Sequence, residues 1–389
     1  MKIVHGLGLS LRASHRVYSA FFLYALALGG LYPRMAEIQQ GMGVAEGALG
    51  LGLIGTASGT LISLTFGGPL IERLGARKIL LMGLPLVAVF YALAALAPSP
   101  LVLFLSLLPA GICIGAVEQI VNLEADRVEH VLGRRMMNRS HAFWSIGFAT
   151  AGVFGGIAAE LGLSPLMHLW LMLGLVGVLT ILLLGKFEAA AHRPHLQSGV
   201  TQEKAVKFAW PTPAICLLLA ATSAAMLMEG AGIEWSAIYM RDVFGSSPFI
   251  CGLAVAAGAS TQAVTRFFAD KLVERFQPVL VARSLSLILG AGVALVTWAS
   301  SPWMALCGLA LMGVGTSAVF PLAMSAAAQR SDRPAAVNVA ALAQTAFVVF
   351  LLGPPLLGWV AEFFGIRAAF AFSLPLIALS FWAAKSLKT

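Results

Sequence analysis

The sequence is poor in charged residues. Asp, Glu, Lys and Arg make up 11% of its 389 residues, whereas about 25% is usual in soluble domains. So few charges cannot cover the surface of a water-soluble protein of this size. Hydrophobic residues make up 59% of the chain, so we expect it to lie in a lipid bilayer.

Motifs for nucleotide or metal chemistry are also lacking. The segment Gly185-Lys186-Phe187 has neither the upstream glycine spacing nor the Ser or Thr of a phosphate-binding loop, which argues against an ATP-driven pump. No His-x-x-x-His or Gly-x-Ser-x-Gly arrangement is present, so we do not expect an enzyme. The four cysteines lie in apolar stretches without paired spacing, which indicates packing residues. We therefore expect no cofactor and no metal site.

Twelve apolar segments separated by polar breaks predict twelve transmembrane helices of about 20 residues each. The longest polar stretch, 187–208, is predicted to be a cytoplasmic linker between an N-terminal six-helix bundle, 1–186, and a C-terminal one, 209–389. The helices are expected at 17–40, 47–70, 77–97, 101–125, 140–160, 165–186, 211–240, 247–270, 279–299, 302–328, 335–361 and 366–385.

Positive charge predicts the orientation of these helices. With both termini in the cytoplasm, 22 of the 25 Lys and Arg residues fall in the termini and loops on that side. Only Arg34, Arg241 and Arg367 fall on the other side. Cytoplasmic loops carry such an excess of Lys and Arg. The clusters between apolar runs also argue against nucleic acid as the partner of a chain with a net charge of +8.

The two halves repeat at a constant offset of about 200 residues. Segment 70–74, Leu-Ile-Glu-Arg-Leu, aligns with 272–276, Leu-Val-Glu-Arg-Phe, and Arg34 aligns with Glu234. Parallel six-helix repeats place a solute site near the membrane midplane, and access alternates as one half rocks on the other. The pattern therefore predicts a secondary transporter.

Segment 68–78, Gly-Pro-Leu-Ile-Glu-Arg-Leu-Gly-Ala-Arg-Lys, resembles the signature of the major facilitator superfamily between helices two and three. Glu72 stands where that family usually has Asp, and Ala76 stands at its first basic position. The resemblance implies an all-α membrane protein with the major facilitator fold, twelve transmembrane helices in two pseudo-symmetric six-helix bundles. It also implies a monomer in the cell inner membrane whose partners are a small-molecule substrate, protons and lipid.

Shorter segments resemble the fucose permease-like branch of that superfamily. They are 118–122, Glu-Gln-Ile-Val-Asn, in helix four, 319–322, Val-Phe-Pro-Leu, in helix ten, 229–236 in helix seven, and 141–145 at the start of helix five. In 229–236, Glu234 precedes the Trp where an Asp is usual. The branch implies proton-coupled uptake, although its members do not share one substrate.

Glu118 is the candidate proton carrier. A charged side chain at this depth costs at least about 2.5–3.5 kcal/mol on insertion scales, so its apolar surroundings favour the neutral acid. Asn122 lies one turn further on the same face, and Gln119 is its polar neighbour. The alternative is a permanently protonated Glu118 that hydrogen-bonds to another helix.

Helices one and seven carry candidates for an outer gate. We hypothesise that Arg34 pairs with Glu234 or Glu229 when that gate closes; the alternative is that all three pair with loops at the water interface. Aromatic rings near the helix ends are candidates for the cavity wall, or alternatively for the headgroup belt. These aromatic residues are Tyr32, Trp144, Trp235, Tyr239 and Phe320, and the polar candidates in helix eleven are Asn338 and Gln344.

A cytoplasmic gate is predicted from loop charges. Glu72 is expected to pair with Arg73, Arg77 or Arg139, with Arg266 and Asp270 in the equivalent loop of the second half. The alternative is that these charges only set the topology.

A proton-driven antiporter that exports a drug or metabolite is the alternative function. Exporters of this superfamily usually carry an Arg in helix four and a Gly-Pro-Gly-Gly type segment in helix five. Here helix four has Glu118, and segment 151–156, Ala-Gly-Val-Phe-Gly-Gly, has no proline. Both differences favour uptake.

Overall fold

The computed structural model describes residues 8–191 and 209–388. Every regular element within these two ranges is a helix. They form twelve membrane-spanning units, which we number TM1 to TM12, so the prediction of twelve transmembrane helices is confirmed. Of the predicted linker 187–208, residues 192–208 lie outside the described residues.

The first six spans run from residue 13 to residue 184. TM1 consists of Ala13–Gly29, the 3-10 turn Tyr32–Arg34 and Met35–Met42, TM2 of Glu46–Phe66 and Gly68–Leu74, TM3 of Ala76–Ala94, TM4 of Pro100–Leu132, TM5 of Met137–Glu160 and TM6 of Pro165–Leu184.

The last six spans run from residue 213 to residue 387. TM7 consists of Pro213–Glu234 and Ser236–Phe244, TM8 of Pro248–Phe276, TM9 of Pro278–Thr297, TM10 of Pro302–Thr316 and Val319–Ala328, TM11 of Ala335–Phe364, and TM12 of Ile366–Ala371, Leu374–Ala383 and the 3-10 turn Ala384–Leu387.

TM1 is broken where the sequence predicted a continuous helix. Eleven of the spans contain a stretch long and apolar enough to cross a bilayer alone. The first helix of TM1 has 17 residues, which is about 25 Å and short of the roughly 30 Å hydrocarbon core. The turn at Tyr32–Arg34 and the second helix complete the span. TM7 breaks at Trp235, close to the position that the sequence repeat aligns with Arg34.

Short polar breaks with proline end one span and begin the next. Ser99, Ser164 and Ser301 each precede a proline and accept a hydrogen bond from the backbone N–H three residues further on. Such a serine satisfies one of the free N–H groups of the first turn, and proline suits the first helical position because it needs no hydrogen bond there. These features explain why loops of a few residues suffice between adjacent spans.

The bundle has two different ends. Odd-numbered spans begin, and even-numbered spans end, at the end where TM1 starts; Arg16 of TM1 pairs there with Glu188, just beyond TM6, at 3.2 Å. We call this end the basic face, because most Lys and Arg residues lie near it, and the other end the opposite face. Between the two faces, large apolar side chains such as Phe268 and Trp382 are exposed, as expected on a surface that faces lipid.

Small residues bring the two groups of six spans together near the opposite face. A Cβ atom added to Gly50 of TM2 would lie 2.5 Å from the carbonyl oxygen of Pro354 in TM11. Gly156 of TM5 and Gly252 of TM8 approach each other too closely for any side chain. Glycine at such crossings lets helix backbones pack directly against each other, and the result is a tightly closed opposite face.

Candidate functional site

A cavity lies between TM5 of the first group and TM7, TM8 and TM10 of the second. Its volume is about 410 Å³, including the part that is open to solvent. Trp144 and Phe148 form the TM5 wall, and Met312 and Thr316 contribute from TM10. Helices from both groups therefore line one central space.

The polar part of the cavity is a hydrogen-bonded network around Glu229 of TM7. The amide of Gln262 in TM8 donates to the Glu229 carboxylate at 2.8 Å, and the guanidinium of Arg266 donates to the same oxygen at 3.3 Å. Arg266 also donates to the Ser145 hydroxyl of TM5 at 2.9 Å and to the Ser317 carbonyl at 3.2 Å. Ser145 completes the network by donating to Gln262 at 3.0 Å.

This network corrects two predictions. Arg266 was expected at the cytoplasmic gate, but it lies well inside TM8, ten residues before the helix ends at Phe276. Glu229 was expected in the outer part of helix seven, but it lies midway along TM7 and pairs with Arg266. The side chains of Arg266 and Glu229 are 11% and 22% exposed. Predicted helix boundaries placed Arg266 near a loop because TM8 extends further than its apolar run.

Aromatic rings form a continuous wall beside this network. Trp144 stacks on Phe148 with ring centroids 5.4 Å apart. Tyr24 of TM1 meets Trp144 edge to face at 6.4 Å, and Tyr32 packs on Phe148 at 5.8 Å. The wall joins TM1 to TM5, so it presents ring surfaces from the first group to the polar groups of the second.

Glu118 lies on TM4 behind this wall. Its carboxylate accepts a hydrogen bond from the Tyr24 hydroxyl at 3.5 Å, and within residues 8–191 and 209–388 it forms no ion pair. Asn122 donates to the backbone carbonyl of Glu118 at 2.9 Å, and Gln119 donates to the Ser63 carbonyl of TM2 at 3.1 Å. The two amides thus bind backbone groups, and Tyr24 is the side chain that meets the carboxyl.

Glu234 occupies a second, smaller cavity of about 210 Å³ between TM7 and TM11. Apart from Glu234, the residues that line it are apolar, and Phe350 and Leu357 are typical of them. All the residues that line this cavity belong to TM7 and TM11, so it lies within the second group of spans.

Arg34 stabilises the broken part of TM1 and does not reach TM7. Its guanidinium pairs with Glu37 one turn later, with Nε donating at 2.6 Å, and donates to the Leu163 carbonyl at 2.5 Å. In this structure Arg34 thus binds Glu37 and Leu163, and neither Glu234 nor Glu229 is among its partners; its predicted pairing at the outer gate stays a prediction. Glu37, three residues further along TM1, is the acidic partner of Arg34.

Arg241 of TM7 makes the contact that was expected of Arg34. Its guanidinium donates to the Gln39 side chain at 2.7 Å and to the Ala36 carbonyl, both in the second helix of TM1. Sequence reasoning missed this role, although Arg241 is one of only three positive charges on the predicted outer side. Two further contacts join the groups at this face: Gly47 N–H donates to Glu362 at 3.1 Å, and Phe249 N–H donates to Glu160 at 2.9 Å.

The predicted cytoplasmic gate is only partly assembled. Asp270 of TM8 accepts from the Asn138 amide of TM5 at 2.5 Å, which joins the two groups. Arg77 donates to the Gly185 carbonyl, within the first group. Glu72, Arg73 and Arg139 are exposed, and among the described residues none of the three forms an ion pair. The expected pairing of Glu72 with an arginine is thus absent from this part of the structure.

Several predicted cavity residues lie elsewhere. Tyr239 is fully buried and donates to the Val296 carbonyl of TM9 at 2.5 Å. Asn338, near the start of TM11, donates to Asp332 at 2.8 Å, and Gln344 accepts from the Ala209 N–H at 3.0 Å. None of the three is among the residues that line the central cavity in this structure, and their predicted role in the cavity stays a prediction.

Trp235 and Phe320 are also set apart from the central cavity. Trp235, at the TM7 break, is 1% exposed and reaches towards Gly358 of TM11. Phe320 is half-buried in the second helix of TM10. The polar residues that sequence reasoning missed, Ser145 and Gln262, carry a simple signal: each is a polar side chain within an apolar span.

The comparison with known proteins decides the family. Residues 17–350 match the sequence profile of the Major Facilitator Superfamily. The chain belongs to this superfamily. The uncharacterised transporter y4wD of Sinorhizobium fredii (strain NBRC 101917 / NGR234) is 32% identical over 91% of this chain and 92% of its own length. The chain is therefore a multi-pass membrane transporter rather than an enzyme.

Solved structures of this superfamily share the fold. A crystal structure of a mutant of the nucleoside transporter NupG gives a TM-score of 0.72 at 12% identity and covers 97% of this chain and all of that one. An inward-facing, unoccupied bacterial homologue of the human lysosomal transporter Spinster gives a TM-score of 0.66 at 16% identity and covers 96% of each chain. At these identities the likeness concerns the major facilitator fold alone.

Proposed function

We propose that this transporter takes up a small polar or amphipathic solute across the cell inner membrane, by alternating access and in symport with protons. Glu118 is the observation that carries the proposal. It is a carboxyl group within a membrane span, without an ion-pair partner in the described residues, and it touches the aromatic wall of the cavity through Tyr24. A group that costs at least about 2.5–3.5 kcal/mol in the bilayer usually marks an ion or substrate pathway.

The nature of the cavity supports a polar or amphipathic solute. Glu229, Gln262 and Thr316 offer hydrogen-bonding groups on one side, and stacked rings offer an apolar surface on the other. Binding sites for small molecules combine such surfaces with a few well-placed polar groups. Because the Glu229–Arg266 pair is internally neutral, the polar side does not require a charged solute.

The direction of access follows from the proposed orientation. If the basic face is cytoplasmic, as its positive charge favours, both termini are cytoplasmic and the closed opposite face is the periplasmic one. The arrangement is then inward-facing, with bundles 1–186 and 209–389 as the two rocking units. One chain supplies both sides of the cavity, which supports function as a monomer. We take H⁺ as the coupling ion and expect no cofactor.

Export of a drug or metabolite in exchange for protons is the second candidate. The two functions differ in the direction of solute flux, which is into the cell for the symporter and out of the cell for the exporter. Glu118 in TM4, where the exporters of this superfamily usually carry an Arg, favours uptake.

Purified protein in liposomes tests the proposal. Candidate solutes come from a thermal-shift screen of sugars, organic acids and siderophore-like compounds. Under an inward gradient of one pH unit, symport of one proton supports about tenfold accumulation of the solute. Accumulation that disappears when a protonophore is added is the expected result. Proton-driven flux out of the liposomes would instead establish the exporter.

A further inference from the structure

Two positively charged side chains lie where TM9 begins and TM12 ends, at the basic face. Arg283 of TM9 lies five residues beyond Pro278, about 8 Å along the helix axis. Lys385 lies in the last turn of TM12. Neither span contains an Asp or Glu residue, so no acid of TM9 or TM12 can neutralise these charges.

Both cations lie on the outer surface of the bundle. Leu280 and Leu287, three residues before and four residues after Arg283, share its side of TM9, and both are exposed. Trp382, three residues before Lys385 on TM12, is exposed as well. The inward-facing residues of the same turns pack in one buried cluster, to which Ala282, Ala384 and Leu387 belong. The two charges therefore stand beside apolar side chains that meet lipid.

Contacts within the protein hold the two cations in place. The Arg283 Nε donates to the Phe381 carbonyl of TM12 at 3.4 Å, and the Arg283 Cζ lies 5.2 Å from the centroid of the Phe381 ring. The Lys385 Nζ lies 3.6 Å from the centroid of the Trp382 ring. Cations are attracted to the faces of aromatic rings at such distances. Because Phe381 and Lys385 are four residues apart, Arg283 meets TM12 one helical turn from Lys385.

Neither cation has an acidic partner in the part of the chain that the structure describes. Arg283 has several N–H donors, and there only its Nε is bound to an acceptor. Acids of the second group near the basic face are bound to other residues: Asp270 to Asn138, Glu274 to Arg135, and Asp332 to Asn338. Two cations without a counterion at the membrane surface are suited to bind an anion.

We propose that Arg283 and Lys385 bind the phosphate group of an anionic phospholipid in the leaflet at the basic face. Guanidinium groups bind phosphate oxygens through paired N–H donors, and basic residues next to membrane spans recognise anionic headgroups. The exposed Leu287 and Leu379 lie deeper in the membrane than the two cations, where they meet the acyl chains. A lipid complements both parts of this surface, whereas a soluble anion complements only the charged part.

The site does not depend on the proposed transport function. TM9 and TM12 both belong to the second group of spans, so the site should persist when the two groups move relative to each other. It can therefore be tested on the protein at rest, without any solute.

Native mass spectrometry of the full chain in detergent tests the site. The protein is titrated with phosphatidylglycerol, which has a net negative charge, and with phosphatidylcholine, which has none. The wild type should bind phosphatidylglycerol more tightly. R283Q/K385Q should weaken that binding at least about tenfold, since each cation near an anionic lipid contributes about fivefold. Binding of phosphatidylcholine should not change, and R283K/K385R, which keeps both charges, should retain the preference.

K271Q/R275Q is the matched control. Lys271 and Arg275 are exposed near the end of TM8 at the same face, and the Arg275 Cζ also lies 5.2 Å from a ring centroid, that of Phe276. This variant removes the same charge from the same face and should keep the wild-type preference. An unchanged preference in R283Q/K385Q, or an equal loss in K271Q/R275Q, would overturn the site.

Thermal unfolding of the wild type distinguishes a lipid from free phosphate. Phosphatidylglycerol should raise the unfolding temperature, because a ligand that binds the folded protein stabilises it. Inorganic phosphate should have no more effect than NaCl at the same ionic strength. A rise with inorganic phosphate that is lost in R283Q/K385Q would indicate a site for free phosphate and overturn the assignment to lipid.

Discussion

Arg266 and Glu229 hold each other inside the membrane, and each also binds neighbouring polar groups. Their ion pair spans 3.3 Å, with 11% and 22% of the two side chains exposed. Removing one partner of a buried pair leaves the other charge uncompensated, which is more costly than removing both. The ion pair therefore stabilises the cavity only when both Arg266 and Glu229 are present and charged.

The variants of this pair should show that behaviour. E229Q or R266Q alone should destabilise the protein by several kcal/mol, up to about 3–5 for a fully buried pair, and the double variant E229Q/R266Q should recover part of the loss. Thermal unfolding in detergent measures the effect.

The exposed pair Arg135–Glu274, at 3.1 Å with side chains 69% and 64% exposed, provides the control. R135Q should change stability by no more than about 1 kcal/mol. Equal losses in R135Q and R266Q would contradict the importance of the buried pair.

At the scale of elements, the breaks in TM1 and TM7 place short second helices at the opposite face. Met35–Met42 and Ser236–Phe244 lie against each other, and Arg241 of the latter donates to the Gln39 side chain and the Ala36 carbonyl of the former. Because these helices belong to different groups of spans, their contact exists only while that face is closed.

Arg241→Ala should therefore favour opening of the opposite face. Hydrogen bonds from charged groups contribute about 1.5–3 kcal/mol each, so the loss should raise the open population at least tenfold. Distances between spin labels on the ends of TM1 and TM7, measured by pulsed electron paramagnetic resonance, report that population.

Arg367→Ala is the matched control. Like Arg241, Arg367 donates two hydrogen bonds near this face. Its acceptors are the backbone carbonyls of Thr297 and Ala299, and both belong to the second group of spans. Its removal should not change the TM1–TM7 distance. A similar shift in both variants, or none in R241A, would contradict the role of Arg241.

At the scale of the whole molecule, local sequence patterns predicted the arrangement of the spans well. They predicted poorly which side chains pair with each other in the folded bundle. Apolar runs of about 20 residues predict spans because each must satisfy its backbone hydrogen bonds alone in lipid. Apolar runs did not predict the break of TM1 after Gly29, because the run continues through Leu31 and Tyr32. Arg266 was misplaced for a related reason, as TM8 extends beyond its apolar part.

Partner choice depends on packing between groups that are distant in sequence. Arg241 and Gln39, which are hydrogen-bonded, are 202 residues apart in the sequence. Arg34 pairs with Glu37, one helical turn away, and not with the predicted Glu234. Glu118 could be singled out because a lone carboxyl in an apolar span is conspicuous by itself. Its link to Tyr24 could not be foreseen, because TM1 and TM4 meet only in the folded bundle.

The central claim is that Glu118 carries the coupled proton. The direct measurement compares E118Q with the surface variant E188Q in liposomes, for a solute that the wild type accumulates. E118Q should lose accumulation driven by an inward proton gradient yet retain counterflow exchange, because exchange of solute for solute moves no net proton. E188Q, at a side chain that is 84% exposed, should match the wild type in both assays. Full gradient-driven accumulation by E118Q would contradict the account.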